Sequence, residues 1–150
     1  MSDPAQPAID LDPSTSVASE DYLEQILNLI TQKGYARAID IANNLGISQS
    51  SVSNMVQRLA GEGLVDYEKH RGMALTPAGE KIAQAIIQRH ETLSAFLRLF
   101  GLDELDIHRD VEGMEHHISS PTLRVFQVLV EELQRQPKLV ERVVTRAQVG

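Results

Sequence analysis

The chain has 150 residues, 42% of them hydrophobic and 23% charged, with 21 acidic against 14 basic side chains and no cysteine. That size and balance fit one domain or two small ones and exclude a barrel enzyme, wholesale disorder and a fibrous repeat. Without thiols there is no disulfide, Cys nucleophile, zinc ribbon or iron–sulfur cluster, so any metal must be held by carboxylates, imidazoles or carbonyls.

No apolar run approaches the ~20 residues of a membrane span, and the first residues lack the basic-then-apolar pattern of a secretory signal. A soluble, cytoplasmic protein with no membrane partner is expected. The net charge of −7 is the wrong sign for a protein that holds nucleic acid by a basic surface alone. If DNA is the partner, something must offset that charge.

Residues 1–18 carry three prolines and small polar residues without an apolar period, and read as a disordered N-terminal tail. From Ser19, a plausible N-cap, the period turns helical: Tyr22, Ile26, Leu29 and Ile30 share a face, and Gly34 ends the helix. Arg37 to Gly63 then reads as a helix-turn-helix. Ala42 is small where the helices cross, Gly46 takes the positive φ of the turn, and Val52 packs the second helix on the first. Ser48 caps that second helix.

The run LVDYEKHRGMALT, residues 64–76, alternates around a turn near His70-Arg71-Gly72, the pattern of a two-stranded hairpin. A hairpin directly after a helix-turn-helix is a wing. Residues 19–76 are therefore expected to form a winged-helix DNA-binding domain. Thr76-Pro77 opens a long helix to about Phe100, closed by Gly101, and helices near 106–118 and 121–135 and a short one after Pro137 follow. Residues 77–150 read as a helical domain. The fold class is mainly α, with one small hairpin.

The most informative string is Asp110-Val111-Glu112-Gly113-Met114-Glu115-His116-His117. At ~100° per residue, Glu112, Glu115 and His116 fall at i, i+3 and i+4, so two carboxylates and an imidazole share a helix face beside the apolar Val111, Met114 and Ile118. Crowded, partly desolvated acids are relieved by a divalent cation. Asp21 and Glu24 form a second i, i+3 pair on the first helix, and His90 lies midway along the long one. Taken singly, each of these also reads as a solvated helix face, a complement to the helix dipole or a half-buried imidazole. Periodicity does not join them.

The succession SEDYLEQIL, GYARAIDIANNLGISQSSVSNMVQRL, YEKHRGMALTPAGEKIA, QRHETL and DVEGMEHHIS resembles the manganese-responsive branch of the diphtheria-toxin-repressor-type metalloregulators, collinearly from about Ser19 to Leu133. The resemblance implies a homodimeric, metal-activated repressor of metal-uptake genes that binds a palindromic operator on double-stranded DNA, with residues 77–150 as its metal-binding and dimerisation domain. It also implies one joint ligand set: Asp21, Glu24, His90, Glu112, Glu115 and His116. Glu115 and Asp21 stand where the iron-responsive branch has Cys and Met. Oxygens thus replace sulfur, a set that suits Mn(II), with Fe(II) the next fit. Two such ions, each adding +2, would take the protomer from −7 to −3. No room remains for the extra SH3-like domain of many iron-responsive members.

For DNA, Gln49, Ser50, Ser51, Asn54 and Gln57 are expected to face the major groove, with Arg37, Arg58, Lys69 and Arg71 on phosphates. Any one of them also reads as ordinary solvated surface. Asn54 stands where members of the family often carry Lys. The expected role of the metal is to select a DNA-competent dimer rather than to fold the chain. The competing readings are a winged-helix regulator that senses a small organic ligand and uses its acids only for solubility, an iron-responsive regulator of the same family, and a dinuclear metal hydrolase or oxidase. The last lacks HExxH, a Gly-rich phosphate loop and paired Glu-x-x-His helices. No enzymatic reaction and no organic small-molecule substrate are expected.

Overall fold

The computed structural model describes residues 7–68 and 72–149. In chain order these form α1 (Val17–Lys33), α2 (Ala38–Leu45), α3 (Gln49–Gly61), β1 (Val65–Glu68), β2 (Gly72–Leu75), α4 (Pro77–Leu99), α5 (Glu104–Met114), a 3-10 turn (Glu115–His117), α6 (Ser120–Gln134) and α7 (Pro137–Ala147). Two compact units divide this string: Asp12–Gln84, and the segment ending at Leu11 together with the chain from Ala85 on. The division falls between Gln84 and Ala85, inside α4, rather than at the helix start at Pro77 where the sequence suggested a boundary.

In the first unit, α1, α2 and α3 bury Leu23, Ile26, Ile41, Val52, Val56 and Leu59 against one another. Each such side chain contributes about 1.5–3 kcal/mol relative to exposure. The helix-turn-helix is as expected: Ala42 and Val52 are buried, and Gly46 has φ 66°, a conformation L side chains rarely adopt. Ser48 caps α3 by accepting from the Ser51 N–H at 3.2 Å.

The start of α1 differs from the Ser19 cap read in the sequence. Ser16 is the cap, its Oγ accepting from the Ser19 N–H at 3.2 Å, and Ser19 itself is buried one turn inside. Upstream, the Asp12 carboxylate accepts from the Ser14 hydroxyl and N–H, which holds it below the usual carboxylate range.

β1 and β2 pair antiparallel, Val65 opposite Leu75 and Glu68 opposite Gly72, and the Met73 N–H extends the sheet by donating to the Ala36 carbonyl. The tip residues 69–71 lie outside the described chain. Thr76 closes the hairpin: its N–H donates to Leu64 O, its Oγ1 to Gly63 O, and its Oγ1 accepts from the Gly79 N–H, which caps α4. A Cβ on Gly79 would sit inside the radius of the Leu64 carbonyl oxygen, so only Gly permits this approach.

The second unit builds its core from Leu93, Ile107 and Val111, joined by Leu97, Leu102, Met114, Ile118 and Phe126. Phe96 meets Phe100 and Phe126 edge to face. Arg98 grips Glu104 with two exposed hydrogen bonds, lowering the Glu104 pKa, a contact that water screens. The expected helix over 106–118 stops sooner: α5 ends at Met114, and Glu115–His117 tighten into a 3-10 turn.

Residues 7–11 also differ from the tail read in the sequence. Ile9 donates to Gln88 Oε1 and accepts from Arg89 Nη1 and Ser120 Oγ, so three residues of this unit hold both backbone groups of one residue. No helix of the described residues is long and apolar enough to cross a membrane.

Candidate functional site

In the second unit, α4 presents His90 and the 3-10 turn presents Glu115 and His116. Glu115 is fully buried, which a carboxylate tolerates only with charge-compensating partners. One oxygen, Oε2, lies 2.8 Å from His90 Nδ1. The other, Oε1, lies 3.6 Å from His116 Nε2, beyond hydrogen-bond range, and no described residue donates to it. The His116 side chain is 4% exposed and that of His90 32%. A dry carboxylate with one open oxygen between two imidazoles fits a divalent cation, because neutral imidazole nitrogens and carboxylate oxygens are the donors such ions take.

The shortened α5 explains why the expected triad does not close as drawn. Glu115 still counts from the helix, its N–H donating to Val111 O, but the tightened turn takes Glu115 and His116 off the i+3 and i+4 positions of an ideal helix. Glu112 stays on α5, half exposed, with His108 Nε2 at 4.0 Å. The structure therefore brings His90, Glu115 and His116 together and leaves Glu112 on the open side of α5. In the other unit, Asp21 and Glu24 share α1 one turn apart, both half-buried, while their neighbours Tyr22 and Leu23 are buried.

The helix α3 separates its faces cleanly. Val52, Val56 and Leu59 are buried, while Gln49, Ser50, Ser51, Asn54, Gln57 and Arg58 are exposed. Ser50 and Ser51 hydroxyls lie 3.1 and 2.8 Å from the Ser48 hydroxyl, so both partner the cap as well as facing outward. Arg58 Nε is held by Glu62 at 3.0 Å, whereas Arg37, at the start of α2, lies 4.6 Å over the Tyr35 ring. Lys69 and Arg71 lie outside the described residues.

Arg89 escaped the sequence reading. It is fully buried in α4, with Nε donating to Ile118 O at 2.9 Å, Nη1 to Ile9 O and Ala85 O, and Nη2 to Ser120 Oγ. Its signal was available: it falls in the apolar row Ile82, Ile86, Leu93, where a charge must find partners.

A winged helix with a polar reading face, joined in one chain to a buried carboxylate–imidazole cluster, defines a metal-linked DNA-binding protein. Residues 14–73 match the family described as "Iron dependent repressor, N-terminal DNA binding domain", and residues 76–142 "Iron dependent repressor, metal binding and dimerisation domain". The chain belongs to this iron-dependent repressor family, and within it to the MntR type of the diphtheria-toxin-repressor regulators. It is 48% identical over 123 residues to "HTH-type transcriptional regulator MntR" of Lysinibacillus sphaericus, covering 82% of this chain and 88% of that one. Against the same-named regulator of Bacillus subtilis it is 51% identical over 105 residues, covering 70% and 74%.

Among solved structures it is similar to "the manganese regulator SloR", with TM-score 0.67 and 28% identity, over 75% of this chain and 53% of that chain. The T. acidophilum IdeR structure is similar at TM-score 0.65 and 27% identity, again over 75% and 53%. The chain spans about half the length of these two solved proteins.

Proposed function

We propose that the protein is a Mn(II)-dependent, DNA-binding transcriptional repressor acting in the cytoplasm as a homodimer on a palindromic operator of metal-uptake genes. The observation that carries this reading is the buried Glu115, its Oε2 on His90 and its open Oε1 beside His116, in a chain whose α3 offers a polar face. The proposed ligands are Asp21, Glu24, His90, Glu112, Glu115 and His116. Bound there, the cation would supply positive charge that offsets the four carboxylates.

The chain's own groups do the rest. Glu115 gives its open oxygen, and His90 and His116 give ring nitrogens as neutral donors. Asp21 and Glu24 belong to the unit that carries α3, so their engagement restrains that unit and favours the dimer that matches two half-sites. Four oxygen donors against two imidazoles, with no sulfur, favour Mn(II) or Fe(II). Support for the homodimer comes from α6, where Val125 is 64%, Val128 44% and Leu129 39% exposed. That apolar row lies in the segment matching a dimerisation domain.

The test begins by selecting duplexes from a random DNA pool with the Mn(II)-loaded protein. Chelated protein is then titrated with Mn(II), Fe(II) and Zn(II) on the selected DNA. Affinity is expected to rise at least about tenfold with Mn(II). Equal binding with and without metal sinks the reading, and activation by Fe(II) alone shifts it to an iron sensor.

The reading face makes its own prediction on the same duplexes. Arg37→Ala should weaken all sequences alike and lower the salt slope by about one, while Asn54→Ala should change which sequences are preferred. Uniform losses from Asn54→Ala would remove that residue from base reading.

A further inference from the structure

We propose that residues 7–11 form a built-in strap that sets metal affinity, with Arg89 as the positioning residue that links strap and ligands. The inference rests on the metal reading of His90, Glu115 and His116 given above. Ile9 is held by both of its backbone groups, its N–H by Gln88 Oε1 at 3.0 Å and its carbonyl by Arg89 Nη1 at 2.8 Å and Ser120 Oγ at 3.1 Å. Gln88 Nε2 adds a bond to Pro7 O at 3.2 Å.

The same guanidinium donates through Nε to Ile118 O and through Nη2 to Ser120 Oγ. Ile118 directly follows the 3-10 turn that carries Glu115 and His116, and Arg89 directly precedes His90. One planar, fully buried fork therefore ties the exit of the ligand turn to the helix that bears the other imidazole. Ile9 O is among its acceptors. Removing the strap takes one acceptor, Ile9 O, from a guanidinium that also holds Ala85 O, Ile118 O and Ser120 Oγ, and loosens the register between His90 and the turn. Ligands that must be re-ordered on binding give weaker affinity. By reciprocity, a cation bound at the ligands must in turn secure the strap.

Two variants of the full chain test this: deletion of residues 1–11, and Gln88→Ala, which keeps the segment but removes both of its Gln88 bonds. Mn(II) affinity is read by competition with a fluorescent chelator, and amide exchange is read without metal. Both variants should bind Mn(II) about tenfold more weakly, and the amides of residues 118–120 should exchange faster in the metal-free protein. In the intact chain, Mn(II) should slow exchange at Ile9. A purely structural strap would lower the melting temperature of both variants yet leave their Mn(II) affinity unchanged, and Mn(II) would not slow exchange at Ile9 in the intact chain; that result overturns the proposal. If the intact chain binds no Mn(II), the metal reading falls and the strap proposal with it. Normal binding by the intact chain and equal binding by both variants defeats the strap alone.

Discussion

Glu115→Gln will give a protein that folds at least as well without metal and binds Mn(II) on the order of a hundredfold more weakly or worse. The side chain is fully buried, its Oε2 is held by His90, and its Oε1 has no donor among the described residues. The amide keeps the shape and can still accept from His90, while the incompletely compensated buried charge disappears. That relief is worth about 1 kcal/mol, or about 2–4 °C in melting temperature for a chain of this size. The metal loses an anionic donor at the driest point of the cluster. Glu112→Gln offers the contrast, because Glu112 is half exposed and its removal should leave metal-free stability unchanged. Calorimetric melting without metal, paired with Mn(II) titration, separates the two. Tight Mn(II) binding by Glu115→Gln would remove that carboxylate from the site.

Gly79→Ala carries the largest expected loss of stability. Its new methyl would collide with Leu64 O, and that carbonyl is not free to yield. It accepts from the Thr76 N–H at 3.1 Å, and the neighbouring Gly63 O accepts from Thr76 Oγ1 at 2.7 Å. Relief means breaking the closure of the hairpin or shifting the first turn of α4, at about 3 kcal/mol. Melting should fall by about 6–12 °C, and DNA affinity should fall with it, because β1 and β2 lose their anchor. Gly61→Ala is the control, since nothing lies within 4 Å of a Cβ there. Equal melting of the two variants would show that the Leu64 carbonyl moves freely.

Much of the first unit was legible because its signals are local. The Ser48 cap, the Gly46 turn and the Ala42–Val52 contact each follow from one residue's allowed conformation or size, and all three are found. The α1 cap was misplaced because Ser16 and Ser19 both precede acids. Only packing, which buries Ser19, decides between them. Periodicity found the acids and imidazoles of the second unit but drew them on one ideal helix. After Met114 the chain tightens into a 3-10 turn that meets His90 of α4 through Glu115, a contact 25 residues apart that no window of sequence reports. Residues 7–11 were invisible for a related reason: their bonds run from backbone to Gln88, Arg89 and Ser120, some 80 to 110 residues away, and a proline-rich composition carries no trace of them. Joining the six proposed ligands took resemblance, not spacing.

The hydrogen bond from the Glu115 N–H to Val111 O fixes the buried carboxylate by counting residues from α5. Inserting or losing a single residue between Val111 and Glu115 would put another residue, such as Met114 or His116, in that dry place and strand the acid elsewhere. Lineages descended from this sequence can therefore change the side chain at Leu105, which is 80% exposed, but not the length of the five residues from Val111 to Glu115.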